Sequence, residues 1–167
     1  CHTGYLNLYD NAFSGTFPSG LNWRNLFSLD VGYNNMEGPL PTDWWDGNDN
    51  LKRIRHLYLN NNRFNGTIPE AFTTMGNGRM AQVILNDNDF EGTFPGGWNP
   101  KDFLSSVEIQ QTNFEAIDKD VCNMAVSNSG ELTILKSDCS ICTCGNILCA
   151  PPRCISYVSY TNLRAHE

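Results

Sequence analysis

Positive charge is scarce in this chain: 11 Lys and Arg stand against 18 Asp and Glu, a formal charge of −7 with a sequence pI near 4.8. That balance excludes the basic face that a nucleic acid or an anionic membrane surface would require. Long apolar runs are missing too. No stretch approaches the roughly 20 consecutive apolar residues of a spanning helix, so no direct membrane insertion is expected. Histidine occurs only at His2, His56 and His166, none of them in an HExxH, a nucleophile elbow or a cysteine-protease context. No enzyme activity, catalytic residue, cofactor or metal is therefore expected. Cysteine is absent from residue 2 to residue 121.

What is present is one line written four times: LNLYDNAFSGTFP, LDVGYNNMEGPLP, LYLNNNRFNGTIP and VILNDNDFEGTFP fit the frame LxLxxNxFxGx(I/L/F)P. Four apolar slots recur, at Leu6, Leu29, Leu57 and Val83; Leu8, Val31, Leu59 and Leu85; Phe13, Met36, Phe64 and Phe90; and Phe17, Leu40, Ile68 and Phe94. Asn11, Asn34, Asn62 and Asn88 share the polar slot, followed by Gly15, Gly38, Gly66 and Gly92 and closed by Pro18, Pro41, Pro69 and Pro95. Three residues beyond each proline stands a large apolar side chain, Leu21, Trp44, Phe72 or Trp98. A degraded fifth copy runs through Val107, Ile109, Thr112, Phe114 and Ile117, with Asp118 in the proline slot and Val121 in the outer slot. Successive Asn-slot residues are 23, 28, 26 and 24 positions apart, so a unit near 24 residues carries small insertions around Asp46 to Asn50 and Gly76 to Arg79.

Units that can hide a face only against a neighbour must stack. The alternating LxL segment suits a short strand with one buried face, and stacking lays these strands into a parallel sheet. An inward Asn has two donors and an acceptor for the backbone of its own and the adjacent unit, so Asn11, Asn34, Asn62 and Asn88 are expected to form a structural ladder. The glycines suit a tight second bend, and the prolines a segment with few ladder donors.

Six cysteines, Cys122, Cys139, Cys142, Cys144, Cys149 and Cys154, crowd into the last 46 residues, where the open end of a stack needs a cap. Six cysteines allow 15 disulfide pairings. A thiolate metal site at Cys139, Cys142 and Cys144 is the competing reading, and the absence of paired CxxC knuckles weighs against it. Expected organisation is repeats over 1–121, a Cys-rich cap over 122–154 and a tail over 155–167. The sequence opens at Cys1 inside a repeat, so a processed product or a piece of a longer chain is expected.

The frame resembles the leucine-rich repeat family, in particular its plant-type extracellular subclass, in which a Gly-x-Ile-Pro element follows the Asn. The resemblance covers roughly residues 3 to 121. The cysteine run is similar to the caps of secreted leucine-rich repeat proteins of diatoms and related algae. It implies an α/β solenoid: a right-handed superhelix with a parallel sheet on its concave face, short helical or irregular convex segments, and a disulfide-rich C-terminal cap. It also implies an extracellular, secreted or cell-surface location.

With the fixed letters taken up by the scaffold, function is expected on the variable strand positions that face the concave side. These form columns Tyr5, Ser28, His56, Gln82, Ser106; Asn7, Asp30, Tyr58, Ile84, Glu108; Tyr9, Gly32, Asn60, Asn86, Gln110; and Asp10, Tyr33, Asn61, Asp87, Gln111. Over these five rungs the face has four acids, many amides and no Lys or Arg, with its tyrosines toward the N-terminus. Tyrosine with amides suits recognition, because Tyr supplies contact area at little rotamer cost. A protein or peptide partner is the leading expectation, bound through Tyr5, Asn7, Tyr9, Asp10, Asp30, Tyr33, His56, Tyr58, Asn60, Asn61, Asn86 and Asp87. A cell-wall or mucilage glycan, stacked on the aromatic faces, is the alternative partner, and a structural subunit of a larger extracellular assembly is a third reading. Ice binding, known for some plant-type members, would need the same small residue on rung after rung, which these columns lack.

Three further motifs stand outside the frame. Asn65-Gly66-Thr67 is the only N-x-(S/T) sequon and is a glycosylation site if the chain is secreted. Asp87 to Gly92 imitates the start of a calcium loop, but Trp98 stands where a bidentate Glu is needed. Trp45, in the first insertion, either packs under its own loop or marks a contact site.

Overall fold

The computed structural model describes residues 4–46, 50–98, 103–126, 132–138, 141 and 154–157. Each LxL segment is a three-residue strand: β1 (Tyr5–Asn7), β3 (Ser28–Asp30), β5 (His56–Tyr58), β7 (Gln82–Ile84) and β9 (Ser106–Glu108). They pair in parallel and in register, Leu6 on Leu29 on Leu57 on Val83 on Val107. The Gly segments do more than bend. They form a second parallel sheet from β2 (Ser14–Thr16), β4 (Asn35–Gly38), β6 (Arg63–Thr67), β8 (Asp89–Phe94) and β10 (Asn113–Ile117), in the order β10-β8-β6-β4-β2. Gly15, Gly38, Gly66 and Gly92 take φ values of +81, +83, +78 and +77, which any other residue adopts only with strain, so the glycine turns the strand without leaving the ladder. Pro41 and Pro69, at φ −61 and −75, then initiate 3-10 turns over Thr42–Trp44 and Glu70–Thr74.

Between the two sheets lies the core. Leu29, Leu57, Val83 and Val107 stack along it, as do Val31, Leu59, Leu85 and Ile109, all at most 1% exposed. Phe64, Phe90 and Phe114 stack rung on rung, with centroids 6.2 Å apart and planes within 12°. Trp44, Phe72, Trp98 and Val121 close the outer side. One further column was not in the frame: Leu26, Ile54, Met80, Leu104 and Leu132, three residues before each strand's first apolar slot, are at most 2% exposed. Trp45 is partly buried, packed edge-on against Phe72 of the next rung at 6.1 Å.

The first rung is less covered than the others. Phe13 is 47% and Leu21 38% exposed, while Leu6 and Leu8 are only partly buried. At the other end, Asp118 replaces the proline and caps the helix Lys119–Val126, its Oδ1 accepting the Asp120 N–H at 2.9 Å. That helix buries Val121, Cys122 and Met124. The long sheet continues past residue 121. Strand β11 (Ile134–Ser137) joins β9 in parallel as a sixth rung, and β12 (Cys154–Tyr157) adds to β11 antiparallel, which ends the one-way winding. Cys122 is disulfide-bonded. Cys1, Cys139, Cys142, Cys144 and Cys149, His2 and His166, and the tail beyond Tyr157 lie outside the described residues. Among the described residues no helix is long and apolar enough to cross a membrane.

Candidate functional site

The variable residues of β1, β3, β5, β7 and β9 form columns on the outward face of the long sheet, because the parallel register sets Tyr5, Ser28, His56, Gln82 and Ser106 side by side. The next column is Asn7, Asp30, Tyr58, Ile84 and Glu108. The added sixth rung extends both, with Ile134 and Lys136, and Lys136 pairs with Glu108 at 2.9 Å. The acidic face therefore carries one cation at its far end.

Past the strands the two remaining columns are held by backbone bonds between rungs, such as Tyr33 N–H to Asn60 O at 2.9 Å and Asp87 N–H to Gln110 O at 3.0 Å. Asp10, Tyr33, Asn61, Asp87 and Gln111 all take φ between +54 and +56. Asp and Asn tolerate this left-handed region better than most residues, a signal readable at Asp10, Asn61 and Asp87 and concealed at Tyr33 and Gln111. That conformation turns the chain toward the Asn slot.

The Asn slot is a ladder of hydrogen bonds. Asn34 accepts the Phe13 N–H through Oδ1 at 3.0 Å and donates to Leu8 O, Val31 O and Gly32 O. Asn62 accepts from Met36 N–H and donates to Val31 O, Leu59 O and Asn60 O. Asn88 repeats this with Phe64 N–H, Leu59 O, Leu85 O and Asn86 O. Asn11, on the first rung, is exposed, and among the described residues its side chain bonds Leu8 O and Tyr9 O of its own rung. The side chains of Asn34, Asn62 and Asn88 are thus committed to the backbone of two rungs.

The outward face divides into two halves. On rungs one to three, aromatic rings meet: Tyr9 and Tyr33 at 5.1 Å, Tyr5 and Phe27 at 5.6 Å, Phe27 and His56 at 5.4 Å, and His56 and Tyr58 stacked at 6.3 Å. Tyr5 is 69% exposed, and Tyr9 and Tyr33 are each 47% exposed. Gln82 serves this half, its Oε1 accepting from the Tyr58 hydroxyl and lying 3.1 Å from His56 Nδ1. The amide half is turned on itself. Asn60 donates to Asn61 Oδ1 and Asn86 to Asp87 Oδ2, while Asn86 and Gln110 are buried. Of the face residues read from the sequence, the exposed large hydrophobic ones are Tyr5, Tyr9 and Tyr33.

Charge on this face is weakly compensated. Burial raises the Asp30 pKa against the lowering effect of the Gly32 N–H bond. Burial also raises the hydroxyls of Tyr9, helped by Tyr33, Asp10 and Asp30, and of Tyr58, helped by Asp30. At the rim before the strands the sign reverses. A cleft of about 510 Å³ lies among Gly4, Tyr5, Asn25, Phe27, Arg53 and Arg55. The Arg55 guanidinium is 6.0 Å from the Phe27 ring centre and donates to Ile54 O and Gly76 O, and its pKa is lowered by burial and then by Arg79. Nothing in the repeat frame pointed to this rim.

Asn65 is exposed in β6 of the second sheet, away from the tyrosines. Among the described residues no His, Cys, Asp and Glu side chains gather as a metal site.

Comparison with known proteins agrees with this geometry. The Leucine Rich Repeat family model matches residues 53–75. Receptor-like protein 36 of Arabidopsis thaliana is 36% identical over 72 residues, 42% of this chain and 10% of that protein. Receptor-like protein 13 of the same plant is 34% identical over 70 residues, 41% of this chain and 6% of its own length. The chain thus spans a tenth or less of these relatives. Among solved structures, a TDR receptor superposes with a TM-score of 0.60 at 25% identity, covering 73% of this chain and 20% of that one. The BIR2 ectodomain from Arabidopsis thaliana gives 0.58 at 24% identity, covering 76% and 64%, a likeness of fold alone. The repeated frame, the two parallel ladders and these matches together support a plant-type leucine-rich repeat family for the chain.

Proposed function

We propose that the chain is an extracellular or cell-surface recognition module that binds a protein or peptide partner through the outward, concave face of its long sheet. The observation that carries this reading is the division of that face. The amides of its far half are turned inward or buried and its Asn ladder is bonded to the backbone, while Tyr5, Tyr9 and Tyr33 stand exposed on the first two rungs with Asp30. Exposed tyrosines on a rigid sheet supply contact area at small entropic cost. Likeness to receptor-like proteins and to a receptor structure supports recognition over catalysis. An oxidising compartment fits the bonded Cys122, a disulfide-stapled cap and a glycan at the exposed Asn65.

The test begins with a partner cross-linked to the wild-type chain and identified by mass spectrometry. Tyr9→Ala with Tyr33→Ala should then weaken its capture by roughly 30-fold or more, since paired aromatic anchors each carry about 1 to 2 kcal/mol. Undiminished capture by the double variant would rule the face out.

A further inference from the structure

Three of the chain's 11 cationic side chains gather at the rim of the long sheet, in a protein whose formal charge is −7. Arg53 and Arg55 line the cleft of about 510 Å³ with Gly4, Tyr5, Asn25 and Phe27. Arg79 joins them at Gly76, whose carbonyl receives both the Arg79 N–H at 3.2 Å and the Arg55 guanidinium at 2.8 Å. After burial, its charge is the second cause that lowers the Arg55 pKa. Among the described residues no carboxylate pairs with any of the three, although the chain carries 18 acids that could have done so. Arg55 is nonetheless held in place. Its Nη1 donates to Ile54 O and Gly76 O, and its guanidinium carbon lies 6.0 Å from the centre of the Phe27 ring. A guanidinium has five N–H donors, and those on Nε and Nη2 of Arg55 meet no acceptor among the described residues. Arg53 is exposed, with one long contact of 3.4 Å to Asn25 Oδ1. Phe27 and Tyr5, whose rings meet at 5.6 Å, give the same cleft an aromatic wall.

We propose that this rim cleft binds an acidic segment of the partner, with Asp or Glu side chains close together in its sequence. Their carboxylates accept from the free donors of Arg55 and from Arg53 and Arg79, and their methylene stems lie on Phe27 and Tyr5. A guanidinium fork matches a carboxylate with two parallel hydrogen bonds, and one already pinned by two carbonyls gives up little freedom on binding. Three cations over two rungs exceed the single charge that a chain end carries, which favours side chains over a terminal carboxylate. A long polyanion fits less well, because the adjoining outward face carries Asp10 and Asp30 and repels it. The inference rests on the recognition reading and adds to it the charge that the partner carries where it passes the rim.

The probe is a capped Gly-Glu-Gly-Glu-Gly peptide set beside its Gly-Gln-Gly-Gln-Gly counterpart, each titrated into the isotope-labelled protein while amide shifts are followed by NMR. The glutamate peptide should move the Phe27 and Arg55 amides and bind roughly fivefold or more tightly than the glutamine peptide, a gap that closes as salt is raised toward about 1 M. Arg53→Gln with Arg79→Gln, both exposed positions, should shrink the gap to about twofold or less. Equal affinity for the two peptides overturns the proposal, as does a preference that survives the double variant or shifts confined to Tyr9 and Tyr33. So does a glutamine peptide with a free C-terminus that binds as tightly as the capped glutamate peptide, which assigns the cleft to a chain end. Partner capture separates this inference from the reading it rests on. Loss with Tyr9→Ala and Tyr33→Ala but full retention with the arginine variant removes the acidic segment and leaves the face standing. Loss with the arginine variant alone removes the face and leaves the rim, loss with each variant upholds both, and retention with each removes both.

Discussion

In the middle of the stack Asn88 is 6% exposed and its side chain makes four hydrogen bonds across two rungs, whereas Asn11 on the first rung is exposed and, among the described residues, its side chain makes two, both to its own rung. Phe90 and Phe13 differ in the same way, the one 0% exposed between Phe64 and Phe114, the other 47% exposed. The letters are identical in kind and their surroundings are not. What a slot contributes is set by the rung before it, as expected of a solenoid whose stability is a sum of units and nearest-neighbour interfaces.

The contrast can be broken most severely at the aromatic stack. Phe90→Ala should destabilise by about 3 to 5 kcal/mol through lost contacts and an unfilled cavity. Phe13→Ala should cost under about 1 kcal/mol, as its ring is already half in water. Urea unfolding of the two variants decides it, and equal losses would show that the first rung is as tightly held as the middle. Next in size is the ladder. Asn88→Ala should cost about 1 to 3 kcal/mol by stranding the Phe64 N–H and the Leu85 carbonyl, against a few tenths for Asn11→Ala. Hydrogen exchange at the Phe64 amide should accelerate in the first variant only.

A smaller gap separates two glycines. Gly15→Ala and Gly38→Ala both force a left-handed residue, a cost of roughly 1 to 2 kcal/mol. At Gly38 the new Cβ also comes within 2.9 Å of Thr16 Cγ2, while at Gly15 nothing lies within 4 Å. Gly38→Ala should therefore melt lower of the two. The smallest effect concerns Asp30. Its pKa is raised in the fold, so the folded state keeps a proton that the unfolded chain has released, and stability falls as pH rises through the folded value. Asp30→Asn should match the wild type near pH 3 and exceed it slightly at pH 7, by urea unfolding at both pH values.

Much of this was legible because the fold is periodic. Slots filled in four consecutive units fix strand register, so the sequence alone assigns Leu57 and Tyr58 to opposite faces of one strand. The column Leu26, Ile54, Met80, Leu104 and Leu132 was equally periodic but stood ahead of the conspicuous frame. The second sheet was hidden because glycine signals a turn, and only the neighbouring rungs convert that turn into a ladder. Asp118 shows the reverse: as a missing proline it looks like decay, yet it caps a helix. The rim of Arg53 and Arg55 depends on which side chains meet across rungs, and column letters do not say where a side chain ends.

The central claim is that interior letters hold the scaffold while exposed tyrosines hold the partner. It is tested most directly by measuring partner capture and thermal midpoint together on the Tyr9→Ala, Tyr33→Ala double variant, with Asn88→Ala as its counterpart. The account predicts that the tyrosine variant loses capture and keeps its midpoint within about 3 °C of the wild type, while Asn88→Ala falls by roughly 3 °C or more and, below its midpoint, still captures. Capture undiminished in the tyrosine variant, or lost only in step with its midpoint, would contradict it.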